Sequence, residues 1–256
     1  MLTLKEIEKF YPDKEKVFKR NILREYLQYK ILDIVFSSKI SKKLSFIGGT
    51  CLRIVYGTSR FSEDLDFDNF NLSLDEFTEL SNEVRRNLEL EGYVIEIKIV
   101  SRKAFKCYIK IPNLLFDEEL TGFSNEKITI QLDSEAQGYS YKPERYLLNK
   151  FDIFTHIFVT PQNILLSQKL WAILNRKVLK GRDIYDVTFL FSLTEPDYDY
   201  LYFKAKINNL NKLKDSLNKR LKNEKLEKIA KDVESFLINP KEVNRILNFK
   251  EFINQL

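Results

Sequence analysis

The sequence predicts an α+β fold: a mixed sheet flanked by helices, followed by a helical region towards the C-terminus. Three observations lead there. Short segments that alternate at period two lie among segments of helical period in the first part of the chain. From Thr160-Pro161 onward the pattern is helical. The 256 residues, 44% of them apolar, suffice for one catalytic domain with a real core plus a helical extension. The expected division is 1–140 for the α/β core with its N-terminal helix and 141–256 for the mainly helical region, with a hinge in the stretch 138–145.

The elements follow in order. Within residues 17–36, Ile22, Leu23, Tyr26, Leu27, Ile31 and Leu32 recur at helical spacing without Gly or Pro, so this segment is a helix packed on the core. Leu44-Ser45-Phe46-Ile47 reads as a short buried strand and Gly48-Gly49 as a turn. Residues 50–56 read as a helix opened by the Thr50 hydroxyl and ended by Gly57. Asp64-Leu65-Asp66-Phe67-Asp68 then alternates acidic and apolar residues, which puts three carboxylates on one face of a strand. Residues 74–90 form an amphipathic helix closed at Glu91-Gly92, and 93–100, 105–111 and 127–132 alternate as strands. After a loop containing Tyr139, Tyr141, Pro143 and Tyr146, residues 154–159 are strand-like. Thr160-Pro161-Gln162-Asn163 then sets a hydroxyl and a proline at the start of a helix.

Composition excludes whole classes of function. The longest apolar runs fall far short of the roughly 18 residues of a membrane span, and the first residues lack the layout of a secretory signal. The expected location is the cytoplasm. Cys51 and Cys107, the two cysteines, have neither disulfide-framework nor zinc spacing and are expected as reduced, buried thiols. One histidine, His156, rules out imidazole-rich metal sites and reads as structural. Carboxylates, Lys and Arg remain, the groups that handle Mg²⁺ and phosphates. Forty-two basic against 37 acidic side chains leave a charge of +5, and residues 204–256 account for all the excess with thirteen basic against seven acidic.

The segment that carries chemistry is Gly48-Gly49-Thr50, thirteen further residues, then Asp64-Leu65-Asp66. A Gly turn entering a helix offers backbone N–H groups and a hydroxyl to an anion, and two carboxylates two apart on a strand can hold a divalent ion before it. Together these hold a nucleoside triphosphate. Two metal ions about 4 Å apart would need a third carboxylate from a neighbouring strand. Asp133, after Ile128-Thr129-Ile130-Gln131-Leu132, is the candidate, the alternative being a strand-ending Asp in a turn.

These residues also carry a family resemblance. Phe46-Ile47-Gly48-Gly49-Thr50-Cys51-Leu52, Tyr56-Gly57, Arg60-Phe61-Ser62-Glu63-Asp64-Leu65-Asp66-Phe67 and a second block with Lys169, Arg176, Arg182-Asp183 and Asp186 resemble the AbiEii-type nucleotidyltransferase toxins. These belong to the DNA-polymerase-β-like nucleotidyltransferase superfamily and are toxins of abortive-infection (phage-defence) toxin–antitoxin pairs. The resemblance spans residues 20–195 and implies the polymerase-β-like sheet. It further implies that Gly48, Gly49 and Thr50 hold the triphosphate, that Asp64 and Asp66 ligate Mg²⁺ or Mn²⁺, and that Ser62 sits at the phosphates. Arg60 is left between phosphate pairing and bracing the Asp strand. Asp68 lies beyond the family pattern and is expected to be solvated. Lys169 and Arg176, seven apart on a helix, share a face, where they would neutralise triphosphate charge across a cleft completed by the helical region. The bland alternative is a solvated basic face paired with Asp183 or Asp186. Arg182, Asp183 and Asp186 complete the implied nucleotide-binding set, on two helices broken at Gly181.

The implied reaction moves a nucleoside monophosphate from an NTP to an acceptor hydroxyl and releases pyrophosphate, with Asp64, Asp66, Asp133 and Lys169 as catalytic residues. The family points to the 3′ end of tRNA as acceptor and to a cognate antitoxin as partner. Residues 204–231, with ten basic against three acidic side chains, suit a phosphate-binding surface or a merely solvated tail. Tyr198, Tyr200, Tyr202 and Phe203 suit base stacking or core packing. A protein or small-molecule acceptor, or a non-catalytic nucleotide-binding module, are the competing readings.

Overall fold

The computed structural model describes residues 2–256. In chain order the elements are α1 (Leu4–Glu8), α2 (Asp13–Lys16), α3 (Lys19–Ser37), β1 (Leu44–Ile47), α4 (Gly48–Tyr56), β2 (Leu65–Asn69), α5 (Leu74–Leu90), β3 (Glu96–Ser101), β4 (Phe105–Pro112), α6 (Leu114–Asp117), β5 (Lys127–Glu135), β6 (Glu144–Lys150) and β7 (Ile153–Val159). Helices follow: α7 (Gln162–Asn175), α8 (Gly181–Leu190), α9 (Tyr198–Ala205), α10 (Leu210–Leu221), α11 (Leu226–Ala230), α12 (Asn244–Leu247) and α13 (Phe249–Gln255). The fold is α+β, as expected. None of these helices is long and apolar enough to cross a membrane among the described residues. Both cysteines are free and buried.

The chain divides into two units. The first comprises the residues up to Tyr56, Phe61–Gly138 and Lys142–Val159; the second comprises Gly57–Arg60, Tyr139–Tyr141 and Thr160–Leu256. The β6–β7 hairpin thus groups with the sheet, and the main boundary lies at the end of β7 where the sequence suggested residue 140. The reason is long-range: Val159 of β7 pairs in parallel with Phe46 of β1. As a strand β6 escapes the sequence reading because Glu144, Arg145, Asn149 and Lys150 dominate it and it lies at the sheet edge. His156 is exposed on β7, opposite Leu147.

In the first unit the described strands form a mixed sheet in the order β3-β4-β5-β2-β1-β7-β6. β2 runs antiparallel to β1 and parallel to β5, and β4 runs antiparallel to β5. Cys107, Ile109 and Ile111 of β4 and Ile128, Ile130 and Leu132 of β5 are buried. The period of two therefore turns Lys106, Tyr108, Gln131 and Asp133 to the other face. The core is completed by Ile22, Leu23, Leu27, Ile31 and Leu32 of α3 and Phe77, Leu80, Val84 and Leu88 of α5, each contributing about 1.5–3 kcal/mol on burial. A capping box between Ser73 and Glu76 sets the start of α5.

A buried charge cluster anchors α4. Arg53 donates to Glu15 at 2.6 Å and to Glu25 at 2.8 Å, and Glu25 also accepts from Lys150 Nζ and Tyr11 Oη, both at 2.8 Å. Burial alone would push the Glu25 carboxyl up, but Arg53 and Lys150 outweigh it and hold it below the usual carboxylate range. The helix that opens at the Gly-Gly pair is thereby fixed against α2 and α3.

The second unit is a helical assembly in which α7 packs on α8, α9 and α10, and α8 on α11, α12 and α13. The basic C-terminal region is built into it. Leu213, Leu217 and Leu221 of α10 are buried at helical spacing, as are Leu226, Ala230, Ile246, Phe249 and Ile253. Leu237 bridges Arg60 in antiparallel fashion, and Ile238 N–H donates to the Ser59 carbonyl at 3.1 Å, which ties the 57–60 turn into this unit.

Candidate active site

The first unit brings the Gly-Gly pair and the Asp strand into contact, with one correction: β1 passes directly into α4 at Gly48, so Gly48-Gly49 opens the helix itself rather than forming a turn before a helix opened by Thr50. Gly48 has φ +79°, a conformation favourable to glycine. A β-carbon there would lie 2.1 Å from Asp66 Oδ2. The first residue of α4 and the Asp66 carboxylate therefore share a space that only hydrogen at this position leaves open. Thr50 is fully buried and its hydroxyl donates to the Asp64 carbonyl. Thr50 thus pins the first turn of α4 to the Asp segment through its side chain, a positioning role next to the phosphate contact the resemblance implies.

The loop before β2 is held from behind. Gln28, buried in the middle of α3, donates its side-chain amide to the carbonyls of Ser62 at 3.0 Å and Glu63 at 2.9 Å, and Arg24 pairs with Glu63 at 2.8 Å. Ser62, Asp64 and Asp66 are half-buried. Asp68, by contrast, is 1% exposed, and its Oδ1 accepts from the backbone N–H groups of Asn69 and Gln137 at 2.8 and 2.9 Å. The solvated position expected for Asp68 is corrected: its buried carboxylate satisfies two backbone donors near the end of β2.

Asp133 is neither a turn residue nor grouped with the other two as a ligand set. β5 runs on to Glu135, and the parallel register puts Asp133 directly beside Asp66. Its carboxylate is engaged on both oxygens, Oδ2 by Lys106 Nζ and Oδ1 by Gln131 Nε2 at 2.8 Å. Among the described residues no three His, Cys, Asp or Glu side chains come together as a metal ligand set. The donor chemistry fits a hard divalent cation at Asp64 and Asp66, whose coordination phosphate oxygens would complete.

The second unit gathers the other implied residues into a buried ionic cluster. Arg60, 2% exposed, holds Asp186 in a bidentate pair, Nε to Oδ1 and one terminal nitrogen to Oδ2, both at 2.7 Å. Lys169 Nζ lies 2.8 Å from Asp186 and 3.3 Å from Asp183, and Arg176 Nε lies 3.0 Å from Asp183. Both carboxylates are 0% exposed. Burial alone would raise the Asp186 carboxyl, but Arg60 and Lys169 hold it below the usual range, and their own charged forms are stabilised in return. Three cations face two carboxylates, so the cluster keeps positive charge. Arg182 is exposed on α8. Lys169 meets Asp183 and Asp186 inside the protein, whereas Arg176 reaches Asp183 from an exposed position just past the end of α7 at Asn175, so the shared helix face expected for the two is corrected, and Arg60 braces α8 through Asp186. Gly181 opens α8 rather than merely breaking a helix. Its N–H donates to both Asp232 oxygens at 3.0 and 3.2 Å, and a β-carbon would meet the Ile229 carbonyl at 2.5 Å.

The sequence model of the nucleotidyl transferase AbiEii toxins of type IV toxin–antitoxin systems matches residues 31–251. The chain belongs to this family. Its fold is that of two solved structures from Helicobacter pylori. One is the protein JHP933, at 18% identity over 92% of this chain and 91% of that one, with a TM-score of 0.57. The other is a candidate nucleotidyltransferase, at 18% identity over 92% and 95%, with a TM-score of 0.55. No curated protein matches the sequence. For this AbiEii family member, membership implies nucleotidyl transfer, an NTP substrate, a divalent cation and an antitoxin partner. Sequence reasoning missed Gln28, Lys106 and Asp232. Gln28 alone left a local signal, a polar residue within an apolar helical run.

Proposed function

We propose that this AbiEii family member is a Mg²⁺-dependent enzyme that transfers a nucleoside monophosphate from an NTP to the 3′ end of a tRNA. The observation that carries this reading is the packing of Asp66 against Gly48, which sets two half-buried carboxylates beside the N-terminus of α4. Asp64 and Asp66 would hold the divalent ion, which when bound supplies charge neutralisation at the triphosphate and activation of the attacking hydroxyl. The acceptor oxygen bonds to the α-phosphorus, the bond from that phosphorus to the bridging oxygen breaks, pyrophosphate leaves, and the hydroxyl proton passes to solvent. The chain contributes position and charge. Gly48 and Gly49 offer backbone, Ser62 its hydroxyl, and Thr50 and Gln28 hold the two segments in place. In the second unit the net positive cluster around Lys169 and Arg176, with Arg182 exposed nearby on α8, suits the charge of a polyphosphate.

The tRNA acceptor is supported by surface chemistry. Lys212, Lys219, Lys222, Lys225 and Lys228 are exposed while the leucines of the same helices are buried, a polarity that suits phosphate contacts sensitive to salt. Tyr202 and Phe203 are half-exposed and can stack on bases, whereas Tyr200 is core, in edge contact with Tyr139. The test is incubation with Mg²⁺, total cellular RNA and each α-³²P-labelled NTP, beside an Asp64→Ala, Asp66→Ala control. Label on a tRNA-sized band with wild type alone is the expected result. Label on polypeptide moves the acceptor to a side chain, and bound NTP without product makes the chain a non-catalytic module.

A further inference from the structure

Three adjacent strands carry charged side chains in one row across one face of the sheet: Asp66 on β2, Asp133 on β5 and Lys106 on β4, paired residue to residue. We infer that Lys106 is a phosphate-binding residue of this site and that Asp133 is its anchor rather than a metal ligand; this rests on the nucleotidyl-transfer reading.

Geometry excludes Asp133 from easy metal binding. A cation taking its carboxylate would have to displace Lys106 from one oxygen and Gln131 from the other. Gln131 lies two residues before Asp133 on the same strand and face, so the carboxylate is fixed from within β5 and from β4 together. What this fixation delivers is an ammonium group at a defined place. Neighbouring strands are about 4.8 Å apart, so Lys106 starts about 10 Å from Asp66, a gap that a lysine stem and one phosphate span. The Lys106 side chain is 35% exposed. It gives one of three N–H donors to Asp133, which leaves two to offer.

Charge supplies the reason for such a group. Asp64, Asp66 and Asp133 place three carboxylates where a polyanionic substrate must come, and each unneutralised one repels it. Lys106 cancels one of them permanently. Burial would lower its ammonium pKa, but the bond to Asp133 and the charges of Asp133 and Asp66 hold it above the ordinary lysine value, so the group stays cationic at neutral pH. The ligand chemistry is a phosphate oxyanion, from either the NTP or the terminal phosphodiester of the acceptor.

The test uses full-length wild type, Lys106→Gln, Lys106→Arg and Asp133→Asn in equilibrium titrations. The probes are Mn²⁺ followed by electron paramagnetic resonance, α,β-methylene-ATP with Mn²⁺, and a labelled single-stranded oligoribonucleotide. Asp133→Asn is expected to keep Mn²⁺ affinity within about twofold, and Lys106→Gln to weaken one phosphate ligand about tenfold, with Lys106→Arg recovering most of it. A loss in the nucleotide arm assigns the NTP, and a loss in the RNA arm assigns the acceptor. The inference is overturned if Asp133→Asn costs tenfold or more in Mn²⁺ affinity, or if Lys106→Gln leaves both phosphate ligands unchanged. A wild type that shows Lys106-dependent binding yet transfers no label would overturn the transfer reading and leave this assignment standing.

Discussion

Asp64 and Asp66 in the first unit and Asp183 and Asp186 in the second are the same side chain in opposite circumstances. The first pair is half-buried beside the Gly-Gly pair; the second is sealed and matched to Arg60, Lys169 and Arg176. A carboxylate whose charge is matched inside the protein contributes to holding helices, because an unpaired buried charge costs several kcal/mol. A half-buried one remains within reach of a ligand. Exposure, not residue type, separates the two pairs.

That contrast breaks if the two pairs respond alike to substitution. The largest effect is expected at the first pair: Asp64→Ala and Asp66→Ala should each reduce label transfer by about a thousandfold or more. Their melting temperatures should stay close to wild type. Asp186→Asn should do the reverse first, costing about 3–5 kcal/mol in urea unfolding because Arg60 and Lys169 lose their counter-charge. Activity should fall only as far as the folded fraction and the placement of Lys169 fall.

Acid should sharpen the same distinction. Asp186 is held below its ordinary value of 3.8, so its stabilising contribution is present above that value and is lost as pH falls through the lower, native one. Lys169 is raised above 10.5, so its contribution is fully present below 10.5 and is lost as pH rises through the raised, native value. Stability from this cluster should therefore be level from about pH 5 to 9 and drop below 3.8, and Asp186→Asn should flatten the acid limb in circular-dichroism melts. Gly48→Ala should cost about 1–3 kcal/mol through the left-handed backbone and the clash with Asp66. Its transfer rate should fall with it, because the displaced group is the carboxylate. Arg182→Gln, on an exposed residue, should change stability by less than about 0.5 kcal/mol, and a shift in NTP KM alone would mark it as a nucleotide contact.

Much of this was legible before any coordinates. Helical period over residues 17–36, alternation at Asp64-Leu65-Asp66-Phe67-Asp68 and the start near Thr160-Pro161 correspond to α3, β2 and α7, although Pro161 takes the cap position of α7 and the Thr160 hydroxyl bonds Tyr141 instead of capping it. They are legible because a helix or strand writes its buried face at short range. The family blocks around Gly48-Gly49-Thr50 and Lys169 to Asp186 were legible for a similar reason, as residue types at fixed local spacing. β6 was not, since an edge strand with exposed alternate positions needs no apolar alternation.

The sequence by itself determined the α+β class, the family, and the two carboxylates beside a glycine pair. Only the tertiary structure decided which charges are spent inside the protein. Lys106 reaches Asp133 across 27 positions, Gln28 reaches Ser62 across 34, Asp232 reaches Gly181 across 51, and Arg60 reaches Asp186 across 126. Strand register and helix packing bring these partners together. A carboxylate in the sequence carries no mark of whether the residue that will face it is a lysine, a backbone N–H or a ligand.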